Sequence, residues 1–116
     1  NPLVTLGVRD GEPYLGATHL YGTAFQYDFT ASGLGAHLAL PLLRKQWRAD
    51  MDESEARALL CECMKVLFYR DTRASAKVTV AKVDATGCTV DAPLLLDTKW
   101  DYEAFARGNK AGDGSW

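Results

Sequence analysis

The stretch DESEARALLCECMKVLFYRD, residues 52–71, carries the clearest structural pattern in the chain. Its apolar residues recur at steps of three and four, the spacing of one face of an α-helix. Asp52, followed three residues later by Glu55, resembles a capping box with Asp in the place of Ser or Thr. The stretch therefore predicts a helix from about 53 to 70. The face that this helix is expected to bury consists of Ala56, Leu59, Leu60, Cys63 and Leu67.

Alternating strands are predicted on both sides of this helix. Upstream, residues 3–9 alternate, the pair Asp10-Gly11 indicates a turn, and residues 13–20 return as a second strand. A short aromatic segment follows at 24–31. Downstream, residues 76–83 and 88–92 are interpreted as a second hairpin around a turn at 84–87.

Another helix is predicted between the first hairpin and residue 52. The segment SGLGAHLALPLLRKQW, residues 32–47, combines two glycines with a run of helix formers. Pro41 either starts this helix or kinks one that begins near Ala36, and periodicity alone does not choose. Residues 99–108 are expected to form a short last helix stopped by Gly108. The order ββ, αα, ββ indicates an α+β fold with helices packed on antiparallel sheet.

Composition restricts the class of protein. The chain has 116 residues, 47% of them hydrophobic and 24% charged, which is typical of one globular domain. A net charge of -2 gives no electrostatic footprint for nucleic acid or an anionic membrane, so neither is expected as a partner. No apolar run approaches the roughly 18 residues that span a bilayer. We expect a soluble, intracellular protein.

The cysteines and histidines give no pattern for a metal, a cofactor or a thiol enzyme. Cys61 and Cys63 point in different directions on the predicted helix, and Cys88 stands alone near a turn. These unpaired thiols favour a reducing compartment. His19 and His37 are isolated, and a structural or surface role is expected for each.

Several segments together resemble the C-terminal half of a β-type subunit of the 20S proteasome core, most closely its non-catalytic members. The resemblance rests on GLGAHLALPLLRK (33–45), MKVLFYRDTRAS (64–75) and KWDYEAF (99–105), in that order. It spans nearly the whole chain, with 1–107 as half of a subunit domain and 108–116 as a C-terminal tail.

The resemblance implies a fold, partners and a location. The family fold is the four-layer αββα sandwich of the N-terminal nucleophile hydrolases, of which this chain would supply the later strands and the second helical layer. The implied partners are other proteasome α and β subunits in stacked seven-membered rings. The implied role is assembly and the wall of the chamber for ATP- and ubiquitin-dependent protein degradation, in the cytoplasm and nucleus.

The resemblance also allows a check of the catalytic pattern. Active relatives have an N-terminal threonine nucleophile and an upstream lysine, which this sequence lacks. They also carry a serine at the end of a Gly-Ser-Gly-Ser motif and another in Arg-Asp-x-x-Ser. Here those positions are Ala36 and Ala74, and a methyl group neither donates nor accepts a hydrogen bond. Only Asp71 remains, with Ser75 as a register-shifted alternative. We predict no catalytic residue and no enzyme activity.

The remaining candidate residues are structural. Arg70 and Asp71 are predicted to form an ion pair or a cap that fixes the corner after the long helix. Arg44 and Trp47, in segment 43–50, are candidate contact residues, with a core position for the tryptophan equally compatible with the sequence. By family likeness the tail reaches the opposite β ring, where Trp116 would dock. A free-standing α+β protein-binding module and a catalytic threonine protease subunit remain as alternatives.

Overall fold

A computed structural model of the chain describes residues 2–100, and residue 1 and residues 101–116 lie outside that description. Three strands are followed by two helices and then four short strands, which confirms the α+β class. The elements are β1 (Leu3–Arg9), β2 (Glu12–Thr18), β3 (Ala24–Gln26), α1 (Gly35–Gln46), α2 (Glu53–Arg70), β4 (Lys77–Val78), β5 (Ala81–Asp84), β6 (Gly87–Val90) and β7 (Leu94–Leu95). Of the predicted helix at 99–108, all but the first two residues lie outside the described part.

The first three strands form an antiparallel sheet in the order β1-β2-β3. Asp10 and Gly11 connect β1 to β2 with φ angles of 53° and 83°. A two-residue turn with positive φ at both positions matches the twist of the strands that it joins. Leu6 then pairs with Leu15, and Arg9 with Glu12. The first predicted hairpin is confirmed.

Helix α1 begins before its proline. It runs from Gly35 to Gln46 with Pro41 inside, so of the two alternatives the helix that starts near Ala36 is correct. Proline cannot donate a backbone hydrogen bond, so the carbonyl of His37 loses its helical partner. The helix continues because its inner face packs against α2.

Helix α2 has the capping box that the sequence predicted. The Asp52 carboxylate accepts a hydrogen bond from the Glu55 N–H at 2.8 Å, and the Glu55 carboxylate accepts one from the Asp52 N–H at 3.1 Å. Both bonds satisfy N–H groups that a helix start leaves without a partner.

The main core lies between the two helices. Its buried members are Ala39, Leu43, Leu59 and Cys63. The Cys63 thiol faces the Ala39 carbonyl, and burial raises the pKa of this thiol.

The expectation that Leu60 is buried was wrong, because 47% of this residue is exposed. Helix α1 packs on the Leu59 and Cys63 side of α2. Leu60 turns to the neighbouring face, where with Met64 it borders a cavity of about 460 Å³.

The second hairpin is shorter than predicted, and the strands after α2 form two separate two-stranded sheets. Strands β5 and β6 pair around residues 84–87, as expected. Residues 77–78 instead pair with Leu94 and Leu95, which were not predicted to form a strand. Pro93 cannot donate to a ladder, so β6 does not continue into β7 and the strands form two separate pairs.

One apolar strand is left largely exposed. On β1, Leu3 is 63% exposed and Leu6 is 53% exposed, and Val4 and Val8 are exposed as well. β1 is also an edge strand within the described residues. Another cavity, of about 310 Å³, is lined by Val4 and Leu6 from this sheet and by residues of both helices. The sheet therefore presents apolar surface that residues 2–100 do not cover.

Candidate functional site

The corner after α2 is built around Asp71. This residue caps the helix, and its N–H donates to the Leu67 carbonyl at 2.8 Å. Its carbonyl accepts from the Ala74 N–H at 3.0 Å, and its carboxylate oxygen Oδ1 accepts from the Arg73 N–H at 2.9 Å. A carboxylate that accepts from a backbone N–H two residues ahead forms an Asx turn. Asp71 thus holds its own turn.

Arg70 does not take part in this arrangement. Asp71 is the C-cap residue of α2, and within residues 2–100 no ion pair joins Arg70 to Asp71. The Asp71 carboxylate binds the turn backbone, whereas Arg70 is exposed on the last helical turn. A cation is favourable there because the helix C-terminus carries partial negative charge.

The hydroxyl that could have replaced the missing serine is also engaged locally. Ser75 Oγ accepts a hydrogen bond from the Lys77 N–H at 3.0 Å, just before β4 begins. The side chain of Ser75 therefore contributes to the start of a strand.

Gly35 of the glycine motif packs against the loop that precedes α1. It is buried, and a Cβ at this position would lie 3.3 Å from Ala31 Cβ and 3.8 Å from Leu67 Cδ1 of α2. The first distance is tighter than ordinary van der Waals contact, whereas the second is ordinary contact. The absence of a side chain at Gly35 therefore lets Ala31 lie close to the start of α1.

Ala36 and Ala74, which stand where the resemblance places serines in active relatives, border different cavities. Ala36 lines one of about 420 Å³ beside the first sheet. Ala74 lines the one of about 460 Å³ that Leu60 and Met64 also border. Two methyl groups in separate cavities offer no hydrogen-bonding group to a shared reaction centre.

The candidate contact residues divide between the inside and the surface. Trp47 follows the last residue of α1 and is half-buried, with its ring 5.8 Å from that of Phe29 between centroids. Arg44 and Lys45 are exposed, and neither forms an ion pair within residues 2–100. Trp116 lies outside the described residues.

The next arginine along this segment is already paired. Arg48 contacts Glu55 at 2.8 Å and Asp50 at 3.4 Å. The hydrogen bond with Glu55, with the charges of both carboxylates, raises the pKa of Arg48. Arg48 is therefore neutralised by its partners, and the positive charges of segment 43–50 without an ion pair in the described part of the chain are those of Arg44 and Lys45, at the end of α1.

Sequence reasoning missed an aromatic cluster beside the corner. The rings of Phe68, Tyr69 and Trp100 lie 5.0 to 5.8 Å apart between centroids. The Lys99 N–H donates to the Tyr69 hydroxyl at 2.7 Å. The adjacent aromatic residues at 68–69 are visible in the sequence, but Lys99, which binds Tyr69, lies thirty residues further along the chain, and Trp100 follows it.

The described residues provide no cluster of ligands for a metal. No group of three or more His, Cys, Asp or Glu side chains in residues 2–100 is placed to hold an ion. Across the same residues, neither helix has the length and apolar character needed to cross a bilayer.

Comparison with known families assigns the chain to a class. The model of the family described as "Proteasome subunit" matches residues 1–83, and the chain belongs to this family. More particularly, it is similar to subunits of the β type, as the sequence predicted. It is 41% identical to proteasome subunit beta type-4 of Arabidopsis thaliana over 116 residues, which covers 100% of this chain and 47% of that protein.

Other relatives agree. The protein of the same name from Xenopus laevis is 39% identical over 93% of this chain and 46% of its own length. A probable proteasome subunit beta type-7 of Schizosaccharomyces pombe is 40% identical over 88% of this chain and 41% of its own length. The chain spans about half the length of the curated relatives it matches.

Proposed function

We propose that this chain is the C-terminal half of a non-catalytic structural subunit in the β ring of the 20S proteasome core. Its partners are the other α and β subunits of the particle, in the cytoplasm and nucleus. It contributes to assembly and to the wall of the chamber in which ATP- and ubiquitin-dependent protein degradation takes place. The names of its relatives, proteasome subunits of beta type-4, support this assignment.

The observation that carries the non-catalytic role is the engagement of Asp71 in its own turn. The carboxylate accepts a backbone N–H, and the two positions that would support a nucleophile carry methyl groups, at Ala36 and Ala74. A proton cannot be relayed through a methyl group. The corner therefore serves architecture.

We further propose the four-layer αββα sandwich as the fold of the whole subunit. Helices α1 and α2 form a layer of their own, and the apolar side chains of β1 remain exposed. Strands from the other half of the subunit would cover that surface, because burial of apolar area is the main favourable term in folding. Residues 1–107 belong to this domain in the proposal, and 108–116 form the tail.

Two surfaces of the chain are proposed to make contacts between subunits. The first is the end of α1, where Arg44 and Lys45 are exposed beside Trp47. The second is the tail that ends at Trp116, which would reach the opposite β ring. Arginine and tryptophan are enriched among residues that dominate binding at protein interfaces.

Native mass spectrometry of the protein isolated from its source tests the assignment. We expect a large multi-subunit particle, and a denatured subunit mass well above that of the 116 residues. Recovery as a small monomer or dimer would instead favour a free-standing binding module.

Substitution of Asp71 separates an architectural role from a catalytic one. Asparagine keeps an acceptor oxygen for the Arg73 N–H, so Asp71→Asn should be incorporated normally and every peptidase specificity of the particle should persist. Asp71→Ala removes the acceptor and should lower stability by about 1 kcal/mol. The exposed Asp97→Asn is the matched control. Loss of one specificity at normal incorporation of Asp71→Asn would show that this subunit is catalytic.

A further inference from the structure

The hairpin formed by β5 and β6 touches the first sheet through β5, whereas β6 is exposed. All four residues of β6 are exposed, and Val90 is 63% exposed. On the β5 side, Ala81 and Val83 border a cavity of about 350 Å³ whose opposite wall comes from the first sheet. A hairpin over an unfilled space gains little from burial.

Charged side chains also connect this hairpin to α2. Lys82 Nζ lies 2.7 Å from a Glu53 carboxylate oxygen, and an Arg57 nitrogen lies 2.6 Å from an Asp91 carboxylate oxygen. Glu53 and Arg57 are one helical turn apart and 4.0 Å from each other, so the two pairs form one network. We call these four residues the charge clamp.

The Arg57–Asp91 pair is the less exposed of the two. The side chain of Arg57 is 35% exposed and that of Asp91 is 38% exposed. Arg57 lies within α2, and Asp91 directly follows β6. The hydrogen bond with Asp91 raises the pKa of Arg57, and that with Glu53 raises the pKa of Lys82. Networks of this kind contribute more than isolated surface pairs.

We propose that the charge clamp positions the β5–β6 hairpin on α2, and that the hairpin is released when these charges are screened or removed. Isolated ion pairs at the surface are weak, and an isolated two-stranded hairpin is only marginally stable in water. The hairpin and its clamp therefore support each other. Loss of the clamp should expose the hairpin amides while the helices keep theirs. This inference does not depend on the proposed function.

Hydrogen exchange with mass spectrometry tests the clamp in the full-length protein, in the assembly in which it is isolated. Amides of residues 81–90 are compared with those of α1 at low salt and in about 1 M NaCl, where the screening length falls to about 3 Å. We expect exchange of the hairpin to become roughly tenfold faster in high salt, as expected for loss of a small network of surface ion pairs, with α1 nearly unchanged.

Substitutions at the clamp separate it from general effects of salt. Arg57→Gln should accelerate hairpin exchange at low salt. Lys65→Gln is the matched control, because Lys65 pairs with Glu62 inside the same helix and its other nearby carboxylate, Asp97, lies outside the hairpin. Arg57→Lys keeps the positive charge beside Glu53 and Asp91 and should retain most of the protection. Equal exchange of hairpin and α1 under all conditions, or the same acceleration in Arg57→Lys as in Arg57→Gln, would overturn the proposal.

Discussion

Gly35 shows how one absent side chain permits close packing at the start of a helix. Ala31 in the preceding loop lies 3.3 Å from the position that its Cβ would occupy, and Leu67 of α2 lies 3.8 Å from it. Packed interiors have few spare volumes, so even a few added carbon atoms are felt. The position of the Ala31 loop against α1 therefore depends on this residue.

Replacing Gly35 by valine should be destabilising. The added side chain would press on Ala31 and crowd Leu67, at a cost of about 1–3 kcal/mol. The measurement is denaturant unfolding of the full-length protein. The control is Ala58→Val, on the exposed side of α2. There the lower helix propensity of valine should reduce the free energy of unfolding by only roughly 0.5 kcal/mol. Equal effects of the two substitutions would mean that the surroundings of Gly35 have room for a side chain.

At the scale of single elements, the start of α2 is specified by residues three apart. The reciprocal hydrogen bonds of Asp52 and Glu55 satisfy two backbone N–H groups that would otherwise depend on water for a hydrogen-bond acceptor. The preceding loop is also tied to this turn, because Arg48 binds Glu55.

Asp52→Ala should lower the free energy of unfolding by about 1 kcal/mol, because the first turn of α2 loses its side-chain acceptor. Asp50→Ala, two residues earlier, should cost less than about 0.5 kcal/mol, since its carboxylate is largely exposed. Thermal unfolding of both variants provides the comparison. If the two transitions shifted equally, the capping box would not stabilise the helix.

The sequence was sufficient where partners are near each other in the chain. The capping box, the turn at Asp10-Gly11 and the limits of α2 all depend on residues within four positions, and each was predicted. Leu60 was misplaced because periodicity defines a helix face but not which part of it α1 covers.

Pairings between distant residues could not be predicted from local patterns. Strand β7 forms because Leu94 and Leu95 return to residues 77–78. The bond between Arg57 and Asp91 joins residues 34 positions apart. At the site, Asp71 was found, but whether its carboxylate faced Arg70 or its own turn required the three-dimensional arrangement.

At the scale of the whole molecule, the described residues expose more large apolar side chains than they bury. The exposed ones include four from β1 alone, on both faces of the strand. Apolar surface of this extent is typical of a protein interface or of an interior that another segment completes.

The 116-residue chain studied alone should therefore bind a hydrophobic dye and self-associate. The double variant Val4→Thr with Leu6→Thr should reduce dye fluorescence severalfold, because it removes apolar surface while keeping residues compatible with a strand. The control is Leu20→Thr, which removes an exposed apolar side chain from the loop between β2 and β3 and leaves β1 unchanged. A monomer with no more dye emission than an ordinary globular protein would show that the surface is covered by the chain itself.

The turn at Asp71 also affects how hydrolytic members of this family can be told from inactive ones by sequence. Because the backbone of the turn uses the carboxylate, an aspartate would be retained here whether or not a chain cleaves peptides. An arginine-aspartate pair after a long helix is therefore a poor diagnostic marker, and a sequence profile weighted on it would return false positives. Under the proposed function, the positions that discriminate are those of Ala36 and Ala74.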